Sequence, residues 1–224
     1  MSSRFEIIKN IVEVCHKLEA KGFVAATDGN VSARLPNGNI LTTPASLNKG
    51  FVRAEDLVEV TVEGKLVSKQ GKPSSEIGMH LFIYRERKDV NAVVHAHPVY
   101  ATAFAAARKE ISVKAFPEVL VAIGRIPLAE YATPSTGEVA DSLQPFVQHH
   151  EAVLLMNHGA VTYGGNVWEA YFRMEKVEHA AHIQITAQAL EGIQELSPEQ
   201  IKKLSDISYS SYGKVISQSI INSK

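Results

Sequence analysis

Asn91-Ala-Val-Val-His-Ala-His-Pro98 is a β-like run that ends in two histidines one residue apart. Residues i and i+2 of a strand point to the same face. The imidazoles of His95 and His97 therefore start about 6–7 Å apart along the chain and can converge on one point. The proline that follows ends the strand and places the pair at a sheet rim rather than in mid-core. A second apolar run, residues 152–156, leads into Asn157-His158-Gly159. There a third imidazole ends a strand, and the glycine behind it removes bulk where a ligand must approach. Three such nitrogens form a metal site with an open coordination position. That donor set suits catalytic zinc, because structural zinc is usually closed by four ligands and rich in thiolate. Cobalt and manganese also accept imidazoles. The plainer alternative is a set of core histidines satisfied by backbone carbonyls.

Outward from these runs, Phe5, Ile8, Ile11, Val12, Cys15 and Leu18 recur at helical spacing over residues 4–20, and Gly22 stops the helix. Asp28-Gly29-Asn30 turns into a strand at 31–35, and Pro36-Asn37-Gly38 returns the chain into a second strand at 39–43. A further hairpin is expected from 57–62 and 65–68 about Glu63-Gly64. A helix is expected from Glu76 to about Arg87, and an alanine-rich helix from Val99 to about Arg108. The run 119–123 reads as a strand. Ser135 and Glu138 read as a capping box for a helix over 136–148 that Pro145 shortens. Residues 160–163 extend or pair with the 152–156 strand. Asn166 and Glu169 cap a long helix over 167–191, and Ser197-Pro198 opens the last one. This order predicts an α/β protein, a three-layer α/β/α domain spanning 1–224 with a central, largely antiparallel sheet.

A formal charge of −1 offers no basic stripe for nucleic acid. No apolar run approaches the ~20 residues that span a bilayer, and the first residues lack a signal-peptide layout, so the cytoplasm is the expected location. The single cysteine, Cys15, excludes an intrachain disulfide and reads as a small buried hydrophobe.

Glu76 opens a helix after Ser74-Ser75, about 20 residues before the histidine strand. A helix start favours anions, so these serines suit a phosphate or carboxylate ligand, and Glu76 suits proton transfer. Simple capping is the alternative. The turns Asp28-Gly29-Asn30 and Thr43-Pro44-Ala45-Ser46 can form anion nests or serve as ordinary hairpin turns. Glu175, Glu178, His179 and His182 share one helix face, where an exposed charged surface or subunit contact is more economical than a metal. His149-His150 reads as a cap of a helix dipole, and His16 and His80 carry no supporting pattern.

In order, Gly29-Asn30-Val31-Ser32, Thr43-Pro44, Pro73-Ser74-Ser75-Glu76, Val93-Val94-His95-Ala96-His97 and Asn157-His158-Gly159 resemble the class II zinc-dependent sugar-phosphate aldolase and epimerase family. The similarity runs from about residue 5 to 215. The resemblance implies zinc held by His95, His97 and His158, with Glu76 as acid/base and as a fourth ligand before substrate arrives. It implies a phosphate pocket from Gly29, Asn30, Ala45, Ser46, Ser74 and Ser75. It further implies a homotetramer with sites at subunit boundaries, and a catalytic role for Tyr212, which precedes Gly213. The family's epimerases have aspartate where this chain has Glu76, which favours an aldolase acting on a ketose phosphate such as L-fuculose 1-phosphate. Two departures stand out. The family's Thr-Pro-Ser/Thr-Gly is here Thr43-Pro44-Ala45-Ser46, and a tyrosine used by the aldolase falls at Phe116, with Glu118 near enough to substitute. Within the family, 4-epimerisation, dehydration and decarboxylation are the competing reactions. A non-catalytic adducin-like assembly module is the competitor from another class.

Overall fold

The computed structural model describes residues 2–212, with side chains as far as residue 210. Seven strands form one sheet in the order β3-β2-β1-β4-β7-β6-β5. They are β1 (Asn30–Arg34), β2 (Ile40–Thr42), β3 (Val58–Val60), β4 (Ala92–Ala96), β5 (Leu128–Ala129), β6 (Ala152–Leu155) and β7 (Gly159–Gly164). Every neighbouring pair is antiparallel except β5 with β6. The helices are α1 (Arg4–Ala20), α2 (Ile77–Glu86), α3 (Val99–Ala106), α4 (Pro117–Ala122), α5 (Glu138–Leu143), α6 (Val167–Ala187) and α7 (Pro198–Tyr212).

Strand residues divide by parity between two hydrophobic clusters, as period-two geometry requires. Ala92, Val94 and Ala96 of β4 join Ile11, Val14 and Leu18 of α1 and Met174, Val177 and Ala181 of α6. Val93 joins Met79, Phe82 and Ile83 of α2 and Val139 and Leu143 of α5. β4 is buried along its whole length, so its even and odd residues both pack.

The first helix and the β4 strand match the sequence pattern closely. Ser3 and Glu6 form a reciprocal capping box at the start of α1, and the Asn166 side chain accepts from Glu169 N–H at the start of α6. Four expectations need correction, and one element was not expected. Residues 119–122 belong to a helix, with Ile123 as its C-cap: Pro117 occupies its first turn, where a missing N–H is harmless and the fixed φ is favourable, and Val119 and Leu120 bury together. Residues 65–68 form no strand of their own and meet residues 59–61 through a Val60–Leu66 bridge and hydrogen bonds from Thr61 N–H to the Lys65 carbonyl and from Val67 N–H to the Glu59 carbonyl. The 136–148 helix contracts to α5, because Thr136, not Ser135, receives the Glu138 N–H, while the Glu138 carboxylate reaches back to Thr133 N–H. The long helix ends at Ala187 and passes through a 3₁₀ turn to Glu191 and Gly192, both at positive φ. The two-residue β5, parallel to β6, has no counterpart in the pattern.

The topology sets up one end of the sheet. Asn30 opens β1 directly opposite His95 on β4, and Ala96 pairs with Ala160, one residue into β7. Segments far apart in sequence thus deliver Asn30, His95 and the Asn157-His158-Gly159 turn to the same edge.

Candidate active site

His95, His97 and His158 converge there, with ring centroids 4.7–5.0 Å apart. One ligand atom from each lies within 4.8 Å of the other two. Hydrogen bonds orient two of the rings. His95 Nδ1 is 2.9 Å from the Ala160 carbonyl oxygen and must donate to it, so in the neutral ring Nε2 carries the lone pair. His97 Nδ1 is 3.4 Å from an Asp28 carboxylate oxygen, which favours the same tautomer. His95 Nε2 and His97 Nε2 then face each other at 3.1 Å. Two lone pairs at that distance repel unless a proton or cation lies between them. A tetrahedral ion with bonds of ~2.0–2.1 Å would hold its nitrogens about 3.3 Å apart. The donor set therefore fits a divalent cation.

Glu76 completes the cluster. It is the N-cap residue of α2, but its side chain caps nothing and turns inward instead. Its carboxylate oxygens lie 3.3 Å from His95 Nε2 and 3.2 Å from His158 Nε2. Asn30 Nδ2 donates to Glu76 Oε2 at 3.1 Å. Burial pushes the Glu76 carboxyl up, but positive charge on the His95 and His158 imidazoles, when those rings are protonated, outweighs that and holds it well below the usual carboxylate range. It is ionised at neutral pH and can accept a proton. His97 is drawn down to about 4 by burial and by the neighbouring His95 and His158, so it stays neutral and available as a ligand.

The serine and turn residues gather beside this cluster. Pro44 bridges Pro73, Ser74 N–H donates to the Thr43 carbonyl, and Ala45 N–H donates to the Lys72 carbonyl. Thr43 Oγ1 accepts from Val31 N–H, the residue after Asn30. Ser74 is buried and its hydroxyl accepts the Glu76 N–H. Ser46 takes a φ of +58°, the conformation glycine adopts most readily, at the position where the family pattern has glycine. Among the described residues, the amides of Ser46 and Ser75 have no protein acceptor. Tyr212 ends α7, but its side chain and Gly213 lie outside the described residues. Phe116 is the N-cap of α4, half-buried against the larger cluster.

The rival helix face is structural. Glu178 accepts from Tyr100 N–H and Ala101 N–H at the start of α3, Glu175 pairs with Lys21, and His182 stacks on Tyr100 at 3.9 Å. Burial pushes the Cys15 thiol up to about 12, which makes it an inert core group.

Two residues beside the site had no signal in the sequence. Asp28 reads as a turn residue until the fold brings His97 to it. His80, one helical turn after Glu76, is fully buried, with Nδ1 2.7 Å from Ser32 Oγ, which in turn lies 2.8 Å from Tyr84 OH. Burial and nearby His95 draw His80 down to about 3. Because this lies below the unfolded value near 6.5, the unfolded chain takes up the proton first. Stability is therefore unaffected by this group above pH 6.5 and declines as pH falls toward 3, by about 1.4 kcal/mol per pH unit where the group is fully coupled. In urea titrations of the metal-free protein, His80→Gln is expected to show a shallower acid slope than wild type by that amount. Equal slopes would contradict the assignment.

The comparisons with known proteins follow the same lines. The Class II Aldolase and Adducin N-terminal domain family matches residues 9–185. The L-fuculose phosphate aldolase of Methanococcus maripaludis (strain C5) is 35% identical over 176 residues, 79% of this chain and 94% of its own. The 3-oxo-tetronate 4-phosphate decarboxylase of Pectobacterium atrosepticum is 33% identical over 167 residues, 73% of this chain and 76% of its own. The solved structure of an L-fuculose 1-phosphate aldolase superposes with a TM-score of 0.83 at 28% identity, covering 92% of this chain and 97% of that one. The family match takes in all three histidines and Glu76, and the chain belongs to the class II aldolase and adducin N-terminal domain family.

Proposed function

We propose that the protein is a metal-dependent aldolase that reversibly cleaves a ketose phosphate, of the L-fuculose 1-phosphate kind, into a small keto fragment and an aldehyde. The observation that carries this reading is the carboxylate of Glu76, set between His95 and His158 at 3.3 and 3.2 Å. His95, His97 and His158 would hold the cation, with Glu76 able to join them before substrate binds. Zinc suits three imidazoles and an open position. A divalent ion held there supplies Lewis-acid polarisation of a substrate carbonyl oxygen.

The remaining chemistry belongs to the chain's own groups. Glu76 takes and returns the proton on the carbon next to the carbonyl. Asn30, by donating to Glu76 Oε2, holds that carboxylate in place. The free amides of Ser46 and Ser75, with Gly29, Ala45 and Ser74 shaping the turns, bind the phosphate oxygens. Tyr212 takes the proton from the substrate hydroxyl whose oxygen becomes the aldehyde carbonyl as the carbon–carbon bond breaks, and returns it in the reverse direction.

The same reading includes a single domain over residues 1–224, an α/β/α three-layer arrangement, a cytoplasmic location and a homotetramer with its sites at subunit boundaries. No helix among the described residues is long and apolar enough to cross a membrane. A groove of about 720 Å³ beside α4, α6 and α7, lined by Glu118, Trp168, Phe172 and Ile207, offers apolar surface for such assembly.

Decarboxylation of a keto acid phosphate is the second reading. It is favoured by Phe116, which cannot donate a proton, and by the 33% identical decarboxylase. Loss of carbon dioxide forms no aldehyde, so no substrate hydroxyl has to give up its proton. Product analysis over a panel of ketose phosphates and keto acid phosphates separates the two. Aldehyde release is the expected result. Carbon dioxide release would select the second reading, and a product of unchanged mass would indicate an epimerase.

A further inference from the structure

Lys49 is 1% exposed, in the 3₁₀ turn Lys49–Phe51. A buried ammonium is costly unless its protons and charge are accommodated. Here Nζ donates to the carbonyl oxygens of Thr27 at 3.0 Å and Leu47 at 2.5 Å. Among the described residues it has no carboxylate partner within the 4.0 Å of an ion pair. The carboxylate of nearby Asp28 is on His97 instead. The preceding residue adds a third tie, Asn48 Nδ2 donating to the Ala26 carbonyl at 2.7 Å. Residues 48 and 49 thus hold the carbonyls of Ala26, Thr27 and Leu47. Those carbonyls belong to the turn that leads into Gly29-Asn30 and to the turn that follows Ser46. Both turns carry left-handed backbone, with φ of +46° at Ala26, +71° at Gly29 and +58° at Ser46. Non-glycine residues hold that conformation only where their surroundings enforce it.

We propose that Lys49 is the positioning residue of the anion pocket, bracing its two turns through their carbonyls and lending a buried positive charge that favours a phosphate dianion. It does not touch the ligand; it acts through the Gly29 and Ser46 turns. The inference rests on the phosphate reading of that pocket given above.

Calorimetric titration of the metal-loaded, full-length protein with inorganic phosphate tests it without any need for turnover. Lys49→Met is expected to keep its metal, to weaken phosphate binding on the order of tenfold, and to raise KM for a ketose phosphate similarly, with kcat within about threefold of wild type. Lys49→Arg, which keeps the charge, recovers most of the phosphate affinity. A lysine that only maintained the fold would depress kcat, metal content and affinity together, and arginine would not restore them. If the methionine variant does not fold, Lys49→Gln retains a donor for the two carbonyls and carries the same expected loss. Wild-type phosphate affinity in the folded uncharged variant overturns the proposal. Wild-type protein that binds no phosphate overturns it together with the phosphate reading. Phosphate binding that depends on Lys49 in a protein without aldol cleavage supports Lys49 and removes only the assigned reaction.

Discussion

Glu76→Gln is expected to lower turnover by about 10²–10⁴-fold, the usual contribution of a positioned acid or base, while the protein still binds one divalent ion per chain. Glutamine preserves the shape of the side chain, and its carbonyl oxygen can still accept from Asn30 Nδ2, which now donates at 3.1 Å. What it cannot do is take a proton at neutral pH. The three imidazoles are untouched, and His95 remains oriented by the Ala160 carbonyl, so the metal should stay. Steady-state kinetics alongside elemental analysis of the same preparation check both halves. Near-wild-type turnover would remove Glu76 from the proton-transfer role. Equal loss of metal and activity would make it principally a ligand.

The second large effect concerns a residue with no chemistry of its own. A Cβ at position 159 would lie 2.5 Å from the Ala96 carbonyl oxygen and 2.6 Å from His97 Cδ2. Neither neighbour can yield cheaply. Ala96 is fixed in the β4–β7 ladder through its pairing with Ala160, and His97 is fixed by its place in the cluster. Gly159→Ala should therefore push His97 off the shared point. Expected results are a loss of metal affinity of at least about tenfold, on the scale seen when a ligand's orientation is disturbed, and destabilisation of about 1–3 kcal/mol. Gly137→Ala is the control, since a Cβ there meets nothing within 4 Å. Metal titration and thermal unfolding of both variants measure the contrast. Wild-type metal affinity in Gly159→Ala would show that β4 and the histidine turn are not packed as tightly as described.

How much of this could be read beforehand depended on the range of the interactions. Periodicity revealed α1, which is long enough for its apolar pattern to repeat, whereas β4 was legible as a short apolar run closed by Pro98. His95, His97 and His158 were legible because each ends an apolar run beside a proline or glycine. Residues 119–123 misled because a five-residue apolar run has no period of its own, and Pro117 two places upstream decided for helix. β5 is only two residues long and exists by virtue of its partner β6. Asp28, His80 and Lys49 owe their roles to the contacts Asp28–His97, Ser32–His80 and Thr27–Lys49, far apart in sequence, which a local pattern does not encode. Ser46 is the instructive case. Serine stands there where the family pattern has glycine, yet the backbone keeps the glycine-like conformation.

Cobalt titration of the chelator-stripped protein, followed by visible absorption, probes the histidine cluster most directly. One Co²⁺ per chain, with the intense bands of a four-coordinate site that vanish in His95→Ala and His158→Ala, is the predicted result. Binding that ignores both substitutions, or no stoichiometric binding at all, would contradict the account.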